Sequence, residues 1–377
     1  MNEIMKNESS PEVLPKSFDD LKREVHDRGL CGECGGCVSF CSASDIKAIV
    51  MSDDGPPKYF NKENCLECGI CYLVCPQTHV LNEELNSKFN YKPPIGTWKK
   101  IVSSQASFKK IKEVATDGGV VTALLIYLLE NNLINGAIVS KKKGPFNRIP
   151  FFATTKEELI EAAGSHYEVS SQVMGLEKYN TFIPTITKLK KLISTDLMNI
   201  AVVGTPCQIH SIRKMQELSI LPAHIVKYTF GLFCNLNFSF KKDDRKEMEE
   251  KFNFNFNDVE NMNIREGLFL HLRDNHNISV RFEDLYPYAR AACFGCGDFS
   301  NVYADISFGG LGSEKKYTTS IIRTDIGEKV YNSALKRGYI KEPYSLNTSV
   351  KKSEILAKVM SFSKRKRQRA EKKMQEI

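Results

Sequence analysis

A chain of 377 residues is longer than one small domain needs and leaves sequence for a larger body with its own core. With 42% hydrophobic and 26% charged residues, the composition excludes a disordered or fibrous chain. The net charge of +8 is uneven, because residues 364–373 (KRKRQRAEKK) hold seven basic residues and one acid; no aromatic-rich basic motif accompanies them, so no nucleic-acid partner is expected.

The longest apolar run, residues 120–129, is too short to span a bilayer, and the start MNEIMKNESSPEV lacks a basic head and apolar core, so a cytoplasmic protein without a transmembrane segment is expected. Residues 1–27 read as an extension ending in a short amphipathic helix over 15–29, with Phe18, Leu21 and Val25 on one face. It should pack against the module that follows.

That module, residues 28–90, carries two cysteine runs: Cys31-x-x-Cys34-x-x-Cys37-x-x-x-Cys41 and Cys65-x-x-Cys68-x-x-Cys71-x-x-x-Cys75-Pro76. This is the spacing of a two-cluster bacterial ferredoxin, in which three thiolates wrap one corner of a 4Fe-4S cube and the fourth comes from the other run. Cys31, Cys34, Cys37 and Cys75 are therefore assigned to one cube, and Cys65, Cys68, Cys71 and Cys41 to the other. Gly35, Gly36 and Gly69 suit the tight turns. Zinc knuckles use separated pairs rather than triple runs, and a disulfide framework does not suit the cytoplasm. Ser42 stands where a proline usually follows the fourth cysteine.

Residues 86–100 (NSKFNYKPPIGTWKK) read as a linker. Beyond it the pattern predicts helices over 118–131, 155–163, 186–194 and 207–217, and strands over 136–140, 199–203 and 225–233. Residues 278–284, 302–310 and 318–324 read as further strands around a glycine-rich loop, and 353–362 has helical spacing ahead of the basic tail. The tail, residues 350–377, reads as a solvated helix end, with docking on an acidic partner or membrane surface as the alternative. No G-x-G-x-x-G or Walker motif follows a strand, so nicotinamide and P-loop chemistry are not supported.

Four cysteines remain: Cys207 in VGTPCQ, Cys234 at the end of a strand-like run, and Cys293 and Cys296 in ACFGCGD. Together they match the ligand count of a third 4Fe-4S cube; zinc or mixed structural roles are the alternatives. Asp117-Gly118-Gly119 opens a strongly helical run, where free amides could seat an anion or Asp117 could simply cap the helix.

Six segments, in this order, carry a resemblance: residues 116–139 (TDGGVVTALLIYLLENNLINGAIV), 164–167 (GSHY), 203–209 (VGTPCQI), 231–234 (GLFC), 293–313 (CFGCGDFSNVYADISFGGLGS) and 318–327 (TTSIIRTDIG). From about 102 to 339 the chain resembles the family of beta subunits of coenzyme F420-reducing hydrogenases and F420 dehydrogenases, and the attached module looks like that of the F420-oxidising subunit of the archaeal membrane-bound F420 dehydrogenase. The resemblance implies an α+β protein: a bacterial-ferredoxin-like module, then a mixed α/β body over 98–345 that binds FAD and one 4Fe-4S cluster, for three clusters in all. It also implies coenzyme F420 as substrate and an electron-accepting complex, soluble or membrane-bound, as partner. Asp117, Gly118, Gly119, Thr122, Ser165, Tyr167, Thr205, Gln208, Gly309, Gly310 and Gly312 are the candidates for cofactor contact, each with an ordinary turn, cap or packing role as the alternative. Arg290 and Arg323 are candidates for the acidic tail of the deazaflavin, and His166 is read as structural. Hydride transfer needs stacking more than an acid or base, so no side chain is nominated as catalytic. The expected activity is oxidation of reduced coenzyme F420; rivals are the reverse flow in a hydrogenase or formate dehydrogenase, a ferredoxin-fed flavin reductase of an organic substrate, and an electron wire without flavin.

Overall fold

A computed structural model describes residues 15–43, 46–52, 55–144, 147–164, 199–220, 223–238, 242–264 and 267–377. Ser165, His166, Tyr167 and the helix predicted over 186–194 lie outside the described residues. The N-terminal module holds a two-stranded sheet, β1 (Ile49–Val50) and β2 (Lys58–Tyr59), and the helices Gly36–Ala43 and Ile70–Leu73. The amphipathic segment is one α-helical turn, Phe18–Leu21, running into a π-helical turn, Lys22–His26. Ser17 and Asp20 close a capping box at its start, and Phe18, Leu21 and Val25 enter the module core with Val38 and Ile49. The predicted face is the buried one.

The body is built on an eight-stranded mixed sheet. Its strands are β3 (Lys100–Ala106), β4 (Gly136–Gly144), β5 (Asn147–Ala153), β6 (Ile200–Gly204), β7 (Val226–Leu232), β11 (Ile306–Gly309), β12 (Thr318–Ile322) and β13 (Ile340–Lys341), in the spatial order β13-β3-β12-β11-β7-β6-β4-β5. The four inner strands β4, β6, β7 and β11 run parallel, and antiparallel strands flank them. Parallel strands covered on both faces read as continuous apolar runs, and β6 (IAVVG) is buried throughout. Its side chains alternate: Ala201 and Val203 join the core around the helix Val120–Glu130, while Ile200 and Val202 face Ile209, Ile212 and Met215 of the helix Pro206–Glu217.

The second of those cores also takes in Val74 and Leu85, so the N-terminal module seats on this face. A smaller lobe, the three-stranded sheet β8 (Val259–Ile264), β9 (Gly267–Leu272) and β10 (Asn277–Arg281), carries its own core with Phe238, Met248 and Leu285.

Four expectations change. The segment over 278–284 is strand only for Asn277–Arg281, and that over 302–310 only for Ile306–Gly309. The stretch read as a linker is pinned: Ile95 is buried beside Phe299 and Ile355, and the carbonyls of Ile95 and Thr97 accept from Arg323. The basic tail belongs to one long helix, Ser349–Glu376, whose Ile355, Val359, Ser363, Lys366 and Ala370 are buried. It is a strap whose outer face stays solvated, with Lys364, Arg365, Arg367 and Lys372 exposed and Lys366 turned inward. Among the described residues, no helix is long and apolar enough to cross a membrane.

Candidate metal centres and an adjoining basic cleft

The two N-terminal runs share the pattern Cys-x-Glu-Cys-Gly, and both copies fold alike. Glu33 and Glu67 take φ of 53° and 50°, and Gly35 and Gly69 take 84° and 74°. Repeated left-handed turns of this kind gather backbone N–H groups around an anion. Each run then enters a helix, so Cys37 and Cys41 sit one turn apart on Gly36–Ala43, and Cys71 lies on Ile70–Leu73.

The electrostatic neighbours of each thiol divide the eight cysteines crosswise. Cys37 is acted on by Cys34, Cys31 and Cys75, and Cys71 by Cys68, Cys65 and then Cys41. The second set lines one cavity with Phe18, Ile49 and Leu66. Burial pushes Cys34 and Cys71 up to about 12 and Cys31 and Cys37 well above the usual thiol range, so these sulfurs become thiolates only if something cationic binds them. Among the described residues, no three His, Cys, Asp or Glu groups converge as they would around a single ion. A cube presents its irons at separate corners, and thiols that share an electric field without sharing a point suit it.

The third quartet is assembled by the sheet. Cys207 follows β6, Cys234 follows β7, and both lie where ligands are bound in open parallel sheets, beyond the carboxyl ends of the strands. Thr205 and Gln208 set the first: the Gln208 side-chain Oε1 accepts from the Thr205 backbone amide at 2.9 Å, and Thr205 Oγ1 lies 3.3 Å from Cys207 Sγ. Both residues, candidates for cofactor contact, thus hold the start of the cysteine's helix. Cys234 is set by its amide donating to the Phe299 carbonyl at 2.9 Å. Asn237 joins two of these thiols, its backbone amide donating to Cys293 Sγ at 3.4 Å and its side chain to Cys234 Sγ at 3.2 Å. Cys234 is acted on by Cys293, Cys296 and Cys207. Cys207 is acted on by Cys34 ahead of Cys296 and Cys293, and a Cβ added at Gly32 would lie 3.7 Å from Cys207 Sγ. The third quartet therefore abuts the first run.

Two arginines complete this junction or lie away from it. Arg290 pairs with Glu33 between Cys31 and Cys34, tying the body to the first run. Arg323 is buried and donates to Ser307, Ile95, Thr97 and Ser300. In this structure Arg290 is engaged by Glu33 and Arg323 by buried carbonyls and hydroxyls, and neither lines the basic cleft described below.

The glycine candidates converge on one corner. Gly118 donates its amide to Thr318 Oγ1 at 2.9 Å, and a Cβ there would lie 2.6 Å from the Ser104 carbonyl. Gly119, at φ 71°, starts the helix Val120–Glu130 without a side-chain cap, and Thr122 is buried one turn on. A Cβ on Gly310 would lie 2.6 Å from the Asp117 carboxylate, and one on Gly312 would lie 3.0 Å from Ile355. The closeness they permit is first of all between protein loops.

Beside this corner opens a cleft of 720 Å³ lined by Thr116, Asp117, Gln105, Phe269 and His271, a size suited to a cofactor-sized ligand. Lys109, Lys112, Lys315 and Lys316 line it too, against one further acid, Glu113. Nothing in the sequence marked these lysines, except that two directly follow the glycine-rich loop.

Residues 101–177 match the N-terminal model, and residues 197–344 the C-terminal model, of the coenzyme F420 hydrogenase/dehydrogenase beta subunit. An uncharacterized protein of Methanocaldococcus jannaschii is 30% identical over 92% of this chain and 97% of its own length. A component of the F(420)H(2) dehydrogenase of Methanosarcina mazei is 26% identical over 82% of this chain and 83% of its own length. A chain of the F420-reducing [NiFe] hydrogenase complex from Methanosarcina barkeri superposes with a TM-score of 0.63 at 27% identity, covering 76% of this chain and 94% of that one. The chain belongs to the family of the coenzyme F420 hydrogenase/dehydrogenase beta subunit.

Proposed function

We propose that this chain is an F420-dependent oxidoreductase subunit that uses FAD and three 4Fe-4S clusters, oxidises reduced coenzyme F420 and delivers single electrons to a partner protein. The observation that supports it most is the succession of thiol quartets. The body quartet of Cys207, Cys234, Cys293 and Cys296 abuts Cys34 of the first run, and Cys37 of that set in turn feels Cys71 of the next. The far set opens to solvent at Cys68, beside the exposed Leu66 and Phe60. When bound, FAD would supply the conversion between a two-electron hydride donor and one-electron clusters.

The chain's own residues supply position and charge. Thr205 and Asn237 orient the body thiols and direct hydrogen bonds at them. In this proposal the corner formed by Asp117, Gly118, Gly119, Thr122, Gly309 and Gly310 holds the flavin side of the site, with Ser165 and Tyr167 as further candidates. Lys109, Lys112, Lys315 and Lys316 attract the phosphodiester and carboxylates of the deazaflavin's tail. The reverse flow, toward reduction of coenzyme F420, uses the same parts, and the hydrogenase likeness favours keeping it as the second reading.

The test uses the anaerobically prepared full chain. About twelve irons and one acid-extracted FAD per chain are expected, with reduced coenzyme F420 bleaching the chromophores and driving reduction of a viologen. Eight irons would remove the body cluster, and absence of flavin would leave an electron wire. A protein that holds flavin but does not react with the deazaflavin would instead be a reductase of another substrate.

A further inference from the structure

A buried lysine stands beside the body quartet, its ammonium held by main-chain carbonyls. Lys366, on the inner face of the helix Ser349–Glu376, is 2% exposed, and its ammonium donates to the carbonyls of Cys234 at 2.7 Å and Asp298 at 2.8 Å. Among the described residues it forms no ion pair. A buried ammonium with only carbonyl acceptors is costly unless an anion lies close, and four thiolates around a cube carry net negative charge. The helix is fixed at both ends of this contact. Ile355 packs with Ile95 and Phe299 in the body, Ala370 lies against Gly297, and Met374 reaches the core of the N-terminal module. Arg369 adds a second charge on the same side, donating to the Asn235 carbonyl at 2.9 Å and lying over the Phe294 ring.

We infer that Lys366 sets the reduction potential of the cluster held by Cys207, Cys234, Cys293 and Cys296, raising it by placing a fixed positive charge in the same low-dielectric pocket. The inference rests on the proposal that this quartet holds a 4Fe-4S cluster. Reduction adds one electron to the cluster, and a cation that cannot move away stabilises the reduced form more than the oxidised one. Lys366 touches no reacting atom; it acts on the electron through the field. The ferredoxin cubes offer an internal control, because Lys214 stands to Cys75 as Lys366 does to Cys234, with its ammonium donating to the Cys75 carbonyl at 2.6 Å. The helix that carries Lys214 also carries Cys207, so the two lysines lie on the two sides of the junction between body and module.

The experiment is an anaerobic redox titration of the full-length protein followed by EPR, with iron counted on the same samples. Lys366→Met should keep the wild-type iron content and lower the midpoint of the body cluster by at least a tenfold change in its reduction equilibrium, about 59 mV for a one-electron couple. Lys366→Arg should leave that midpoint in place. Arg369→Met should shift it in the same direction by less, and Lys214→Met should move a ferredoxin signal instead. An unchanged midpoint in an iron-replete Lys366→Met protein would overturn the inference, as would loss of the cluster in that variant with no shift in Arg369→Met. A wild-type protein with eight irons would fail earlier, at the proposal that the body holds a cluster.

Discussion

The N-terminal runs and the body quartet offer the same thiol chemistry but are built in opposite ways. In the first, three of every four ligands lie within seven residues of one another, and left-handed Glu33, Gly35, Glu67 and Gly69 shape the loops locally. In the second, the ligands come from three separate segments and meet because β6 and β7 lie side by side and parallel. A locally coded site tolerates a poor surrounding fold, whereas a sheet-coded site is lost when the strands slip. Exposure varies most within the runs themselves: Cys68 faces solvent and Cys41 and Cys71 are buried, whereas all four body cysteines are partly exposed.

The sharpest way to break this comparison is to remove one ligand from each. Cys234→Ala should cost about four of twelve irons and abolish electron flow from the deazaflavin to a viologen, while Cys68→Ala should leave flavin reduction intact and block only transfer onward. Equal loss of flavin reduction in both variants would merge the two regions into one unit. Next in size is the bond that joins them: Arg290→Met leaves Glu33 without its cation in a shielded contact and should cost roughly 2 kcal/mol, less than for a fully buried pair. Thermal unfolding with two separable transitions, where the wild type shows one, would be its signature.

The basic cleft belongs to the body alone. Reversing Lys315 and Lys316 to Glu should raise KM for the deazaflavin about tenfold with kcat little changed, and the effect should shrink as salt is added. A fall in kcat with KM unmoved would place those lysines elsewhere in the reaction. The smallest change is Thr205→Val, which removes both the cap and the hydroxyl beside Cys207 Sγ and should cost about 1 kcal/mol of stability. The ferredoxin signals should not move in this variant.

The sequence alone was enough to read the cysteine spacing, the apolar face of Phe18, Leu21 and Val25, the helix Val120–Glu130, and β6 entering a turn before Cys207, because each depends on neighbours within a few residues. The grouping of the four spare cysteines was legible as a count, but their assembly was not, since it follows from strand order. The partners of Arg290 and Arg323 were hidden for that reason: each stands next to a motif in the chain, and the fold turns one toward Glu33 and the other into a buried set of carbonyls. Tertiary structure also decided the fate of the basic tail. Residues 364–373 are almost uniformly basic in sequence, yet one lysine of the run turns inward as the long helix crosses between body and module. Burial of a charge is set by what faces it across the fold, and no local pattern records that.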